Sequence, residues 1–217
     1  MVAIALAALL LVFVIASLSL DEGDTEPVEV TGAAQVQRLL GGIPQDGAVL
    51  GSSDAPVTVQ VFSNLQCAPC ADYQQETVSP MIEGPVRGGE LKLEFHHRPV
   101  SQSGFEEASY GAVAAAEQDD QWQFIQLFFI NQDEATGGAT DDFLNQIANA
   151  ILNFNVEQWQ RDLDDPAVER TLEEDDELAA ERQAPIPSVV VDGPRGTREL
   201  GESPSLSQIE AAVAQVR

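Results

Sequence analysis

Cys67 and Cys70 are the only cysteines in this chain of 217 residues, and they stand two residues apart in Cys67-Ala68-Pro69-Cys70. Directly before them, residues 56–63 (Pro-Val-Thr-Val-Gln-Val-Phe-Ser) form a β-branched run bounded by Asp54 and Asn64, which predicts a strand. Directly after, residues 67–82 suit a helix that Pro80 bends or ends. Two thiols at a strand-to-helix junction close and open a disulfide with little backbone movement, and no third cysteine competes. This junction points to thiol chemistry.

The remaining elements arrange themselves around it. Residues 90–96 (Glu-Leu-Lys-Leu-Glu-Phe-His) alternate apolar and polar as a second strand does. From about 104 to 183 the periodicity turns helical: 105–118 is alanine-rich, 121–130 carries an aromatic face, and Thr140 opens a helix with Asp141 and Asp142 in its first turn. Gly137-Gly138 and Asp165-Pro166 divide this block into four helices. Strand signals return at 187–192 (Pro-Ser-Val-Val-Val-Asp) and near 197–200, flanking the turn Asp192-Gly193 as a hairpin. Ser203-Pro204 starts a last amphipathic helix with Leu206, Ile209, Val213 and Val216 on one face. The order is strand, helix, strand, helical block, strand, strand, helix, with no internal repeat.

Residues 2–20 are 19 uncharged residues dominated by Ala, Leu, Val and Ile, long enough to cross a hydrocarbon core of about 30 Å. A transmembrane anchor over 1–20 is expected; a cleaved signal peptide is the rival, but no Lys or Arg precedes the segment and no clear small-x-small site ends it. Asp21, Glu22, Asp24, Glu26 and Glu29 follow, so basic residues say nothing of orientation. Residues 21–47 read as an acidic tether plus a short helix around Val36, Leu39 and Leu40, and 48–217 as one domain. With 36 Asp plus Glu against 10 Lys plus Arg, the net charge of −26 argues against nucleic acid or an anionic lipid surface as partner. Such a carboxylate-rich, lysine-poor surface also fits a high-salt habitat, where salt screens its self-repulsion.

Three segments carry a resemblance. Residues 51–70 (Gly-Ser-Ser-Asp-Ala-Pro-Val-Thr-Val-Gln-Val-Phe-Ser-Asn-Leu-Gln-Cys-Ala-Pro-Cys), the 95–100 segment ending Arg98-Pro99-Val100, and Ile186-Pro187-Ser188-Val189-Val190-Val191-Asp192-Gly193 together resemble the membrane-anchored DsbA-like thiol:disulfide oxidoreductases. The resemblance covers about residues 46–217 and implies an α/β architecture: a thioredoxin fold with a helical domain inserted at about 104–183, here preceded by an N-terminal transmembrane helix. It implies that Cys67 attacks, that Cys70 resolves, and that Pro187 is a cis-proline whose loop, with Ile186, binds an extended peptide. It further implies a catalytic domain outside the cytoplasm, exported cysteine-containing proteins as substrates, and a membrane redox partner that recycles the pair. No cofactor and no metal are implied.

Three departures from the family pattern stand out. Val61 occupies a position that often carries an acid, so proton handling at Cys70 falls to water or another group; Gln60 is the nearest polar neighbour in sequence. Ala68-Pro69 lacks the imidazole frequent between the cysteines of oxidants, and Asn64-Leu65 replaces a common Asp-Phe.

Only a thiolate attacks a disulfide, and a helix N-terminus lowers a cysteine pKa from about 8.5. Cys67 has that location; Cys70, one turn inside, does not. Oxidation of substrates is the expected direction, with reduction or isomerisation as the rival. From a different class, a non-catalytic, membrane-tethered binding module would keep Cys67-Cys70 as a permanent staple.

His96-His97 beside two cysteines suggests zinc only superficially, because neighbouring strand residues point to opposite faces. One His is expected to be solvated and the other to pack near the domain junction. Trp122, Phe124, Phe128, Phe129 and Trp159 are expected in the core. Asp119-Asp120, Asp141-Asp142 and the run 173–177 read as helix first turns and solvated faces.

Overall fold

A computed structural model describes residues 29–99, 106–135 and 138–217. The expected anchor at 1–20, the first part of the tether up to residue 28, and Val100, Phe105 and Gly137 lie outside the described residues; among those described, no helix is long and apolar enough to cross a membrane. Helix α1 (Ala33–Leu40) buries Val36 and Leu40, as the short apolar patch predicts. It leads into two short strands, β1 (Gln45–Asp46) and β2 (Val49–Leu50), which pair antiparallel. This hairpin is an addition to the sequence reading, because two-residue strands are too short to display alternation.

The junction forms as expected. Strand β3 (Thr58–Ser63) runs into helix α2, which opens as Ala68–Tyr73. It continues through a π-helical turn at Gln74–Val78, then Ser79–Met81, and a second π turn at Ile82–Val86. Pro80 therefore does not end the helix, because widened turns on either side relieve the hydrogen bond that a proline cannot make. Strand β4 (Lys92–His97) pairs parallel with β3. After the helical block, β5 (Ser188–Gly193) pairs antiparallel with β3 and with β6 (Gly196–Glu202), giving the order β1-β2-β4-β3-β5-β6.

The hairpin turn falls at Pro194-Arg195, two residues later than predicted, with Gly193 paired to Gly196. Gly193 stays within the strand because a Cβ there would sit 2.5 Å from the carbonyl oxygen of Val216. Its absence lets the closing helix α8 (Leu206–Val216), capped by Ser205 and Gln208, approach the sheet backbone.

Alternation along the strands divides the two faces. Val59, Val61, Leu93, Phe95, Val189 and Val191 enter one large core, while Phe62 and Val190 form a second cluster with Ala179 and Ala184. The helical block contains five α-helices among the described residues, not four: α3 (Glu107–Ala116), α4 (Gln121–Ile130), α5 (Asp141–Ala150), α6 (Val156–Asp162) and α7 (Pro166–Glu181). The extra break lies between α5 and α6, where Asn153 adopts φ 63° and the Asn155 side chain caps α6 by accepting from the Gln158 N–H at 3.1 Å. Asparagine tolerates the left-handed region and caps well, a signal weaker than glycine or proline. Thr140 caps α5 as expected.

The five aromatics are core residues, all at most 4% exposed. The Trp122 indole donates to the Ala48 carbonyl at 2.9 Å, joining the insert to the β1–β2 hairpin. Trp159 donates to the Gly111 carbonyl at 2.8 Å. A Cβ on Gly111 would come within 2.7 Å of the Phe124 ring, so α3 and α4 are in contact through glycine. Gly111→Ala is expected to lower stability by about 1–3 kcal/mol, the usual cost of overpacking, read as a lower denaturant midpoint with unchanged slope.

Candidate active site

Cys67 and Cys70 form a disulfide with Cα atoms 5.2 Å apart. Cys67 is the N-cap of α2 in extended conformation, and its carbonyl accepts the N–H groups of Cys70 at 2.9 Å and Ala71 at 3.2 Å. Proline in the first turn of α2 costs no helical hydrogen bond there. Cys67 is half-buried, Ala68 and Pro69 are exposed, and Cys70 is 1% exposed. Cys67 is thus the partly accessible member of the pair and Cys70 the sealed one.

Two side chains hold the loop before the helix: Asn64, which the sequence marks only as a departure from the family pattern, and Gln132, which it does not single out. Asn64 is fully buried; its Oδ1 accepts the Gln66 N–H at 2.7 Å, and its Nδ2 donates to the Arg98 carbonyl at 2.6 Å and to Glu106 Oε2 at 2.9 Å. A carboxylate at this position would accept the first bond but could not make the other two while ionised. Gln132 reaches in from the insert and donates through Nε2 to the carbonyls of Leu65 and of Cys67, the latter at 3.2 Å. Val61 is fully buried on the apolar face, with no acid at that position.

The Ile186–Pro187 peptide bond is cis. Ser188 pairs with Phe62 near the end of β3, so antiparallel register brings Pro187 to the same end of the sheet as Cys67. The Pro187 carbonyl accepts the Ser203 N–H at 2.9 Å, and Ile186 is half-buried. The four sequence-predicted site residues therefore gather at one sheet end.

The histidines depart from expectation: His96 is 6% exposed and His97 fully buried, so neither is solvated. Both are tied to Asp175 of α7. His96 Nδ1 lies 2.6 Å from Asp175 Oδ1, and the His97 backbone N–H donates to Asp175 Oδ2 at 2.8 Å. Burial pulls the His96 pKa down, but hydrogen bonds and charge from Asp175 and Glu94 outweigh it and lift the imidazole to about 9. Its Nε2 lies 3.8 Å from Glu94 Oε2, and its ring stacks on Phe62. On the opposite face of β4, His97 meets Gln121 Nε2 at 3.0 Å and the Phe95 ring, and burial depresses its pKa to about 4. The opposite orientations leave the two rings unable to share an ion.

Asp175 was read as part of a solvated acidic run, yet it is 9% exposed. A signal was present: Asp175 follows Val168 and Leu172 and precedes Ala179 at helical spacing, so it lies on the buried face of α7.

The chain has known relatives. Residues 44–213 match the family described as Thioredoxin. A protein of Bacillus anthracis named "Probable disulfide bond formation protein D" is 26% identical over 149 residues, covering 66% of this chain and 69% of that one. Among solved structures, oxidised BdbD from Bacillus subtilis superposes with a TM-score of 0.65 at 18% identity, covering 80% of this chain and 96% of that one. DsbA from Chlamydia trachomatis gives 0.65 at 20% identity, covering 78% and 91% respectively. At these identities the structures attest the fold, and the match over residues 44–213 attests the family. A strand-to-helix dithiol, a cis-proline at the same sheet end and that match have one conclusion: this chain belongs to the thioredoxin family.

Proposed function

We propose that this protein is a protein-disulfide oxidoreductase that oxidises cysteines of exported proteins, with Cys67 as the sulfur attacked and Cys70 as the leaving group. The observation that carries the reading is the asymmetric disulfide: a half-buried Cys67 at the start of α2 bonded to a Cys70 that is 1% exposed. A substrate thiolate attacks Cys67 Sγ, the Cys67–Cys70 bond breaks, and Cys70 departs as a thiolate that takes up a proton. A second substrate thiolate then attacks the substrate sulfur of the mixed disulfide and releases Cys67. Two substrate thiols become one disulfide, and the enzyme pair gains two electrons and two protons.

Ile186, set by the cis bond to Pro187, presents backbone to an extended substrate segment beside Cys67. The name of the Bacillus anthracis relative supports disulfide formation as the activity. The domain acts outside the cytoplasm, tethered through residues 1–20, and a membrane redox partner reoxidises the pair.

Alkylation of the reduced protein across pH tests this. One thiol, Cys67, is expected to react fast with a midpoint below the ordinary value of about 8.5; two slow, equivalent thiols would identify a structural staple instead. Because Ala68-Pro69 supplies no imidazole to stabilise the reduced form, equilibration with glutathione is expected to give a potential more reducing than about −120 mV, that of the strong oxidant DsbA. The same dipeptide is what favours the second reading, a reductase or isomerase.

A further inference from the structure

We infer that Arg98 is a positioning residue that locks the cis-proline loop to the dithiol loop and thereby sets how tightly a peptide substrate docks. The inference rests on the proposed exchange at Cys67 and assigns a determinant of its substrate binding. Arg98 follows β4 immediately, and its two ends act on different loops. Its backbone carbonyl accepts from Asn64 Nδ2 at 2.6 Å, three residues before Cys67. Its guanidinium Nη1 donates to the Ala184 carbonyl at 2.6 Å, two residues before Ile186. The Arg98 N–H donates to the Ser63 carbonyl at 2.9 Å, so its main chain is held to the end of β3. Asp176 on α7 lies 3.4 Å from Nε as an ion-pair neighbour on the insert side, without a hydrogen bond to it.

These contacts form a bridge from the reacting sulfur to the peptide-binding backbone: Cys67, Asn64, Arg98, Ala184, Ile186. The Ala184 carbonyl is held by the Arg98 side chain and not by a strand partner; between the Ala184 N–H bond to the Ala179 carbonyl at 2.9 Å and the sheet anchorage that begins at Pro187, this charge-assisted bond ties the loop to Arg98. Moving Ile186 relative to Cys67 would penalise a ligand that must pair with backbone and present its thiolate at once. A ligand too small to touch the loop would be indifferent. Planar geometry lets arginine reach Ala184 and Asp176 together, which a lysine ammonium does poorly.

The test compares wild type with Arg98→Met, which keeps the stem without donors, and with Arg98→Lys. KM and kcat are measured for oxidation of an unstructured dithiol peptide, alongside the rate of exchange with glutathione and the alkylation rate of reduced Cys67. For Arg98→Met, KM for the peptide is expected to rise about tenfold or more, because only the fraction of molecules with the loop in its docking position binds, with kcat, glutathione exchange and alkylation within about twofold of wild type. Arg98→Lys is expected to recover part of the KM. An unchanged KM overturns the inference, and so does a parallel fall in peptide, glutathione and alkylation rates, which would mean general damage to the fold. A wild-type protein inert toward peptide and glutathione alike sinks the proposed function itself; an active wild type with an indifferent Arg98→Met sinks only this inference.

Discussion

Cys67→Ser is expected to reduce peptide disulfide exchange to the uncatalysed background, while Cys70→Ala leaves the first attack intact and halts the second. The asymmetry follows from burial. Cys67 is half-buried at the start of α2, where the helix N-terminus stabilises a thiolate once the pair is reduced, and Cys70 is sealed at 1% exposure. A hydroxyl at 67 is not a nucleophile toward sulfur under these conditions, so nothing replaces it. In Cys70→Ala the Cys67 thiolate attacks a substrate disulfide, and no second thiol lies one turn away to expel the substrate. Mixed disulfides then accumulate and are released by reductant, visible as mass-shifted adducts that also identify the substrates. Adducts on Cys70 in the Cys67→Ser protein, or none on Cys67 in Cys70→Ala expressed in cells, would reverse or remove the assigned roles.

Asp175→Asn is expected to destabilise the protein by about 3–5 kcal/mol, the range for removing one partner of a buried ion pair. Asp175 is the acceptor for His96 Nδ1 at 2.6 Å and for the His97 N–H at 2.8 Å, so it joins α7 of the insert to the end of β4. Asparagine keeps a carbonyl for the His97 N–H but leaves the His96 imidazolium facing only Glu94 at 3.8 Å. A loss below about 1 kcal/mol by denaturant titration would place the joint elsewhere.

The pH dependence gives a second readout with opposite signs at the two histidines. His96 is raised from 6.5 to about 9, so its contribution is fully present below pH 6.5 and is lost as pH climbs through 9. His97 is lowered from 6.5 to about 4; between those values the unfolded chain binds a proton that the folded imidazole refuses, so stability falls as pH drops through that window. The two limbs predict greatest stability near pH 6.5, with Glu94 and Asp175 as the charges that face His96. In Asp175→Asn the alkaline limb is expected to shrink and the acid limb to remain.

The joint at Asp175 marks the limit of local pattern: helical spacing puts Asp175 on the buried face of α7 but does not name the histidines it meets. The junction of β3 and α2, the dithiol and the closing helix α8 were legible because each is written in a short segment: β-branched alternation, a two-residue spacing, an apolar stripe at helical spacing; the cis-proline at Pro187 came from the resemblance. The core role of Trp122, Phe124, Phe128, Phe129 and Trp159 was legible for the same reason. The β1–β2 hairpin, the extension of α2 through Pro80 and the break at Asn153 were not, because two-residue strands, π turns and a left-handed asparagine have weak local signatures.

What the sequence by itself determined was the dithiol, its place at the head of a helix and the order of elements; the thioredoxin fold followed from the resemblance carried by three short segments. What the tertiary structure decided was the company those residues keep. Asn64, Arg98 and Gln132 reach the dithiol and proline loops, and Asp175 reaches both histidines, across separations of 34 to 86 residues. Periodicity can place such side chains on a buried face, as at Asp175, but it names no partner so distant in the chain. Their partners exist only once β3, β4, β5 and the insert have been brought together by burial of the apolar faces, which is the term that pattern does record.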